Sequence, residues 1–355
     1  MIILLFSILW GGLLTLILCA PYGYYPLFLV VLGISILMYF IARKHFKFSN
    51  RYFNAGAAAL FFLSYTLCTY TIFKPASFQF KGISNLDPGK KAVIFYSEGE
   101  MEKYTPYYAN YFLENIPTLL KPLYTMQLKK EYRQIGVNTK NLDLLKIASD
   151  VKNSLLNYKP YYFYIALSGY VPGLKDSIYS ALADGCSEII IINYSADYNV
   201  EEKPSVKSVI EKAREAGVKI SFTKPVHSSK SFAEIFSSTI GNMPMKFDGI
   251  LIIDNENDTS SLIKSNLLKY GYEDSDIIIT TNIKNAMDYF KNRNLRSVFY
   301  INLKDSSSGL IFQTITSKEF EKYSGGMKVM GKDSWGYDKR LIKPAIDVLL
   351  EIDKK

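Results

Sequence analysis

The first 86 residues contain no Asp or Glu, and nothing else in the chain limits so strongly what it can fold into. Three runs in this stretch are apolar enough to be read as helices crossing a bilayer: Ile2 to Ala20, Leu27 to Ala42 and Tyr52 to Phe73. A crossing needs about 20 such residues. The second run is the shortest, and the third is diluted by Asn54, Ser64 and several Thr. A cleaved secretory leader competes for the first run, but no basic residue precedes it and no small-x-small cleavage site is evident. Leu18-Cys19 also lacks the small residue that should precede a lipidated cysteine.

Charge gives this region an orientation. The loop Pro21 to Pro26 is uncharged, whereas the loop between the second and third runs holds Arg43, Lys44, Lys47 and Arg51. Lys and Arg near span ends stay on the cytoplasmic side. Three crossings then place everything after Lys74 outside the cytoplasm, in an integral membrane protein whose first partner is the lipid bilayer. The formal net charge of +9 would otherwise suggest an anionic ligand, yet the 269 residues from Asp87 onward carry 36 basic and 33 acidic side chains. No basic stripe with interleaved aromatics occurs among them, so nucleic acid is not an expected partner. Cys19 and Cys68 sit within spans and Cys186 stands alone, so no disulfide is indicated.

After the spans, residues 75–90, with Gly82, Pro88 and Gly89, read as a linker. Short β-branched runs then alternate with amphipathic stretches, the pattern of parallel βα units. Strands are expected at Ala92–Tyr96, Tyr161–Leu167, Glu188–Tyr194, Lys219–Thr223, Gly249–Asp254, Asp276–Thr281 and Ser297–Leu303. Gly185 and Gly217 each follow a helical stretch and precede a strand, as helix stop signals do. The run Ile189–Ile192 is apolar at every position, which implies a sheet covered on both faces. The expected fold is α/β: two Rossmann-like halves of parallel sheet flanked by helices, after about three transmembrane helices. The domain map is 1–74 membrane region (spans about 2–20, 27–42 and 52–73), 75–90 linker, 91–243 first half and 244–355 second half.

Open parallel sheets place ligands beyond the carboxyl ends of their strands. Those ends carry acids: Glu98, Glu100 and Glu102 after the first strand, Asp197, Glu201 and Glu202 after the third, and Asp254, Glu256 and Asp258 after the fifth. Such oxygens hold hard cations or accept protons; acids in these positions also cap helices, and Asp258-Thr259 has the look of a cap. Walker, dinucleotide, nucleophile-elbow and C-x-x-C motifs are all missing. The two histidines are His45, near the spans, and His227, which reads as structural. The aromatic-rich segment with Tyr104, Tyr107, Tyr108, Tyr111 and Phe112 suits either a core or a flat apolar pocket for a planar ligand.

The order of these segments resembles ferrochelatase, the enzyme that inserts iron into a porphyrin, along most of Lys91 to Ile240. The resemblance runs from strand Ala92–Tyr96 through the Tyr-rich segment Tyr104–Phe112 to Leu128-Lys129-Lys130-Glu131-Tyr132-Arg133-Gln134-Ile135-Gly136, similar to the family's L-K-x-x-Y-x-x-I-G-G. It continues through Tyr164–Leu167, Ile178–Gly185, the strand end Ser195-Ala196-Asp197-Tyr198 and Pro225-Val226-His227. Gly336-Tyr337 and the helix Leu341–Ile352 resemble the family's C-terminal end.

The sequence departs from the family where the chemistry would sit. The family's catalytic histidine turn corresponds to Asp254-Asn255-Glu256-Asn257-Asp258, with Glu256 in the histidine's place, and its catalytic glutamate region corresponds to Lys304-Asp305-Ser306-Ser307-Ser308, with Asp305 as the nearby acid. Asp197 stands where the family often has a histidine. The resemblance therefore implies Glu256 and Asp305 as catalytic groups, Asp254, Glu256, Asp258 and Asp197 as metal-handling groups, and Tyr96, Ser97, Tyr107, Tyr108 and Tyr198 as substrate contacts. No resident cofactor is implied; iron enters as a substrate, and a porphyrin or heme is the implied ligand. An unperturbed Glu, with a pKa of about 4.3 against about 6.5 for His, is a weak base unless burial or neighbouring acids raise it. Three readings follow: an active metal chelatase, a catalytically lapsed relative that binds a tetrapyrrole, a metal or a partner protein, and an unrelated α/β protein sharing only the fold.

Overall fold

The computed structural model describes residues 2–45, 51–74, 86–113, 116–310 and 312–353. Most of the expected linker, together with Lys47 and Lys81, lies outside them. The chain forms two compact units: Met1–Phe78 with Lys103–Gly136, and Gln79–Glu102 with Val137–Lys355. The domain map drawn from sequence differs here, because 103–136 was assigned to the first α/β half and instead clusters with the N-terminal helices.

In the first unit, α1 (Ile2–Cys19), α2 (Tyr25–His45) and α3 (Arg51–Ile72) form from the three apolar runs. Two segments, Tyr22–Ile41 and Asn54–Ile72, are long and apolar enough to cross a membrane, whereas the apolar run Leu4–Cys19 is shorter. Helices α1 and α3 pack through small residues: Ser64 Oγ donates to Ile8 O at 2.6 Å, and a Cβ placed on Gly11 would lie 2.2 Å from Phe61 O. Small residues of this kind let two helices approach closely.

The second unit opens with β1 (Asp87–Glu98), five residues earlier than its apolar run suggests, because Asp87 pairs with Cys186 across a register shift. Helices α4 (Pro106–Phe112) and α5 (Lys121–Ile135) belong to the first unit; the second resumes with α6 (Lys140–Leu155). Then come β2 (Tyr162–Ser168), α7 (Leu174–Ala183), β3 (Cys186–Asn193), α8 (Pro204–Glu215), β4 (Lys219–Phe222) and α9 (Lys230–Gly241). The second half contains β5 (Gly249–Ile253), α10 (Asp258–Lys269), β6 (Ile277–Ile279), α11 (Ile283–Asn292), β7 (Ser297–Asn302), α12 (Ser317–Tyr323), β8 (Lys328–Lys332) and α13 (Ile342–Asp353). Each half is a four-stranded parallel sheet, ordered β2-β1-β3-β4 and β6-β5-β7-β8. The expected α/β class is the observed one.

Alternation along the strands divides the core into layers. Val93, Phe95, Ile190 and Ile192 of the first sheet share one cluster with Ile250, Ile252, Phe299 and Ile301 of the second. The opposite faces bury separate clusters, Ala92, Ile94 and Ile189 in one, Leu251 and Val298 in the other. Full burial of each Ile or Phe stabilises by about 1.5–3 kcal/mol, so the shared layer holds the two halves together. Gly185 and Gly217, at φ 83° and 85°, end α7 and α8 in the left-handed conformation that favours glycine. The cap of α10 is Asn257, one residue before the expected Asp258; its side chain accepts from Thr259 N and Ser260 N at 2.9 and 3.0 Å.

Candidate functional site at the strand ends

Strand pairing brings the expected acids to one edge. Ile253 of β5 pairs with Asn302 of β7, so Asp254 and Asp305 leave neighbouring strands at their carboxyl ends. Asp254 is 5% exposed and accepts from Asn257 Nδ2 at 2.7 Å; burial outweighs this bond and holds its carboxyl above the ordinary range. Asp305 is partly buried and accepts from Asn302 Nδ2 at 2.7 Å. Burial raises its carboxyl too, against the lowering influence of Lys140.

The first sheet meets the second at the same edge. Ser97 Oγ, at the end of β1, donates to Tyr194 O at 2.7 Å and lies 3.1 Å from Ser306 Oγ. Three residues later Glu100 turns inward and accepts from Asn138 Nδ2 (2.6 Å), Lys140 Nζ (3.1 Å) and the Leu310 backbone N–H (2.7 Å). Lys140 is 3% exposed, and its ammonium is nevertheless held above its ordinary pKa: burial opposes the charge, but Glu100, Glu98 and Asp305 together outweigh it. Closer to β3, Lys203 Nζ bridges Asp197 (2.9 Å) and Glu98 (3.5 Å). Burial would raise Asp197, yet Lys203 and the Asn199 backbone N–H hold it below the usual range.

His227 is sealed in this region at 1% exposure, its ring 5.8 Å from Trp335, 5.0 Å from Tyr198 and 6.2 Å from Phe232. Nδ1 lies 3.3 Å from Ser195 O. Since a carbonyl only accepts, Nδ1 carries the proton of the neutral ring. Burial pushes the imidazole down to about 4, so it is an uncharged packing residue, as the sequence suggested.

The residues expected to hold metal are not brought together. Asp197 is engaged by Lys203, Glu256 and Asp258 are exposed, and Asp258 begins α10. Among the described residues no group of three or more His, Cys, Asp and Glu side chains is placed to hold a metal ion. Of the expected substrate contacts, Tyr96 is 1% exposed in the outer layer of the first sheet and Ser97 is buried in its hydrogen bonds, so both are packing residues. Tyr107 and Tyr108 belong to the first unit, with their rings 5.1 Å apart. Tyr107 is exposed in that unit, and in the α/β unit Tyr198, half exposed against His227, is the accessible one.

Sequence reasoning missed Lys140 as the partner of Glu100. A signal existed: Lys140 begins α6, where a positive charge opposes the helix dipole and needs an acid nearby. An open groove of about 1200 Å³ lies elsewhere, between α6, α9, α10 and α13, with Ser154, Glu234, Lys269, Arg340 and Asp347 in its lining; it contains none of the strand-end acids.

No family model matches the sequence, and no curated protein matches it. Solved structures with a similar backbone include SirB from Bacillus subtilis with Fe3+, at 12% identity and a TM-score of 0.49, covering 74% of this chain and 95% of that one. The sirohydrochlorin chelatase SirB from Bacillus subtilis subspecies spizizenii, in complex with cobalt, is similar at 10% identity and a TM-score of 0.48, over 74% and 94% of the two chains. DR2241 from Deinococcus radiodurans, a multi-domain protein described as structurally similar to chelatases, is similar at 8% identity and a TM-score of 0.44, over 73% and 54%.

Proposed function

We propose that this chain is a membrane-anchored, chelatase-like protein that binds a tetrapyrrole of the porphyrin type at the carboxyl edge of its two sheets. In the active form of this reading it inserts a divalent metal such as iron, a lyase-type reaction resembling that of ferrochelatase. One observation carries it: Asp254 and Asp305 leave adjacent strands at one edge, and burial makes both carboxylates stronger bases than free ones. Insertion of a divalent ion into a porphyrin releases two pyrrole protons, so two such acceptors suit the step. Glu256, exposed beside them, is the acid at hand to meet an incoming metal ion, and Tyr198 offers a half-exposed ring to a planar ligand. Helices α2 and α3 serve as the anchor, and Arg43 and Lys44 favour a cytoplasmic loop with the α/β unit outside the cytoplasm.

A catalytically lapsed relative is the second reading. It is favoured by the exposed Glu256 in the place of a catalytic histidine and by the absence of a metal-holding group among the described residues. One titration separates the two. Full-length protein in detergent is given porphyrin while the Soret band is followed, then ferrous iron or zinc. A Soret shift followed by the spectrum of the metallated ring supports the enzyme, with insertion lost in Asp305→Asn and rising with pH as the carboxylates ionise. Binding without insertion supports the lapsed relative, and an unchanged Soret band refutes both.

A further inference from the structure

The first unit carries an apolar surface that its long helices do not account for. After Ile116 the chain passes through a short 3-10 turn, Thr118–Leu120, into α5. One stripe of α5, with Lys121, Thr125, Leu128, Lys129 and Tyr132, is buried. The adjoining stripe of Leu119, Leu120, Leu123, Tyr124 and Met126 is 43% to 52% exposed. Polar exposure begins only beyond it, at Gln127, Lys130 and Gln134. Five large apolar side chains together on one surface mark a contact with something apolar.

Hydrogen bonds set the level of this stripe against the long helices. Tyr65 Oη donates to Leu119 O at 3.0 Å. Tyr65 precedes the last residue of α3, Ile72, by seven positions, about 10 Å of helix. The middle of α5 is tied to carbonyls at the C-terminus of α1: Thr125 Oγ1 donates to Leu18 O (3.1 Å), and Lys129 Nζ to Ile17 O (3.0 Å) and Ala20 O (3.1 Å). The pairs Ile8–Ser64 and Gly12–Cys68 advance together, so α1 and α3 run parallel and end on the same side. The stripe therefore lies beside the C-terminal part of α3, which itself exposes Phe62 and Leu67, with Lys121 over the Phe73 ring, and α5 runs on toward the end of α1.

We propose that residues 116–126 form an interfacial insertion, which buries Leu119, Leu120, Leu123, Tyr124 and Met126 in the acyl region of the leaflet where α1 and α3 end. The occupant of the stripe is lipid, because its apolar surface is continuous with that of α3 and ends where polar residues begin. The turn at Thr118–Leu120 is tolerable at that depth because Tyr65 satisfies the Leu119 carbonyl. This inference rests on reading α2 and α3 as spans.

The test uses the full chain with Cys19, Cys68 and Cys186 replaced by Ala, reconstituted in phosphatidylcholine–phosphatidylglycerol vesicles. Single cysteines at Leu123, Met126, Lys130 and Leu37, the last on α2, carry a nitroxide whose collisions with oxygen and with a water-soluble nickel chelate are compared. Labels at Leu123 and Met126 should favour oxygen as Leu37 does, while Lys130 favours nickel. Nickel access at Leu123 and Met126 equal to that at Lys130, with Leu37 still lipid-like, overturns the insertion and leaves the spans standing. Shielding from both collision partners means that protein covers the stripe, a second copy or another chain, and also overturns it. Nickel access at Leu37 overturns the span reading and the insertion with it. Leu123→Trp in a Trp10→Phe/Trp335→Phe background with brominated lipids gives a second readout: quenching is expected, and its absence counts against insertion.

Discussion

Acidification acts on the α/β unit through His227, and the size of the effect follows from its burial. The imidazole is held at about 4 in the fold against 6.5 when free. Between those values the unfolded chain binds the proton and the folded chain does not, so stability falls as pH falls through this window. The linkage amounts to about 2 kcal/mol at pH 5 and about 3 kcal/mol at pH 4, relative to pH 7. Asp254 and Asp305 act in the opposite sense, since their raised carboxyls bind protons more tightly in the folded chain. The measurement therefore has to be a difference. Urea unfolding would be followed by fluorescence of Trp335, 5.8 Å from the His227 ring, in a Trp10→Phe background that silences the chain's other tryptophan. Wild type should lose about 2 kcal/mol more than His227→Gln on going from pH 7 to pH 5. His45 and every carboxylate are common to both proteins and cancel. Equal pH dependence in the two would mean that His227 is not held neutral by its surroundings, and the reading of the aromatic cage would be wrong.

Two further substitutions probe the packing. Glu100→Gln removes the counter-charge of a Lys140 that is 3% exposed, and should cost about 3–5 kcal/mol, of which the double variant Glu100→Gln/Lys140→Met recovers most; urea midpoints of the single and double variants decide it. Gly11→Ala places a Cβ 2.2 Å from Phe61 O and should destabilise the α1–α3 pair by about 1–3 kcal/mol, whereas Gly33→Ala, with open space around it, should be neutral in the same thermal-unfolding assay.

The parts of this fold that could be read from sequence are those where one element carries its own signal. Seven strands announced themselves because their residues are apolar throughout or nearly so, and β3 is the plainest case. The eighth, β8, did not: it is an edge strand, largely exposed, with Lys328 and Lys332 at its ends, and such charges protect an edge while erasing the apolar run. Helix α5 was hidden for a different reason. Its buried stripe includes Lys121, Thr125 and Lys129, whose polar ends meet partners distant in sequence, so periodicity read by hydropathy alone misses it. At the site, the strand-end rule located Asp254, and Asp305 was reached only through the resemblance to the chelatase pattern. The rule said nothing about which acids would be neutralised by lysines, because Lys140 and Lys203 reach Glu100 and Asp197 only after the chain has folded.

That division among the acids gives the strand ends their chemical character. Glu100 and Asp197 each face a lysine, and their charges are compensated within the fold. A proton or a cation offered to either would have to displace an ion pair. Among the described residues Asp254 and Asp305 form no ion pair of that kind: burial raises both, outweighing the hydrogen bonds from Asn257 and Asn302 and the more distant charges of Lys304 and Lys140. Ionising them in the folded protein costs more than in water, so a proton taken from a ligand, or a cation brought by one, relieves that cost. The same edge thus contains two kinds of carboxylate, one neutralised by a lysine and one in which basicity is stored. The second kind follows β5 and β7, so this side of the edge supplies basicity from carboxylates while the buried His227 stays neutral.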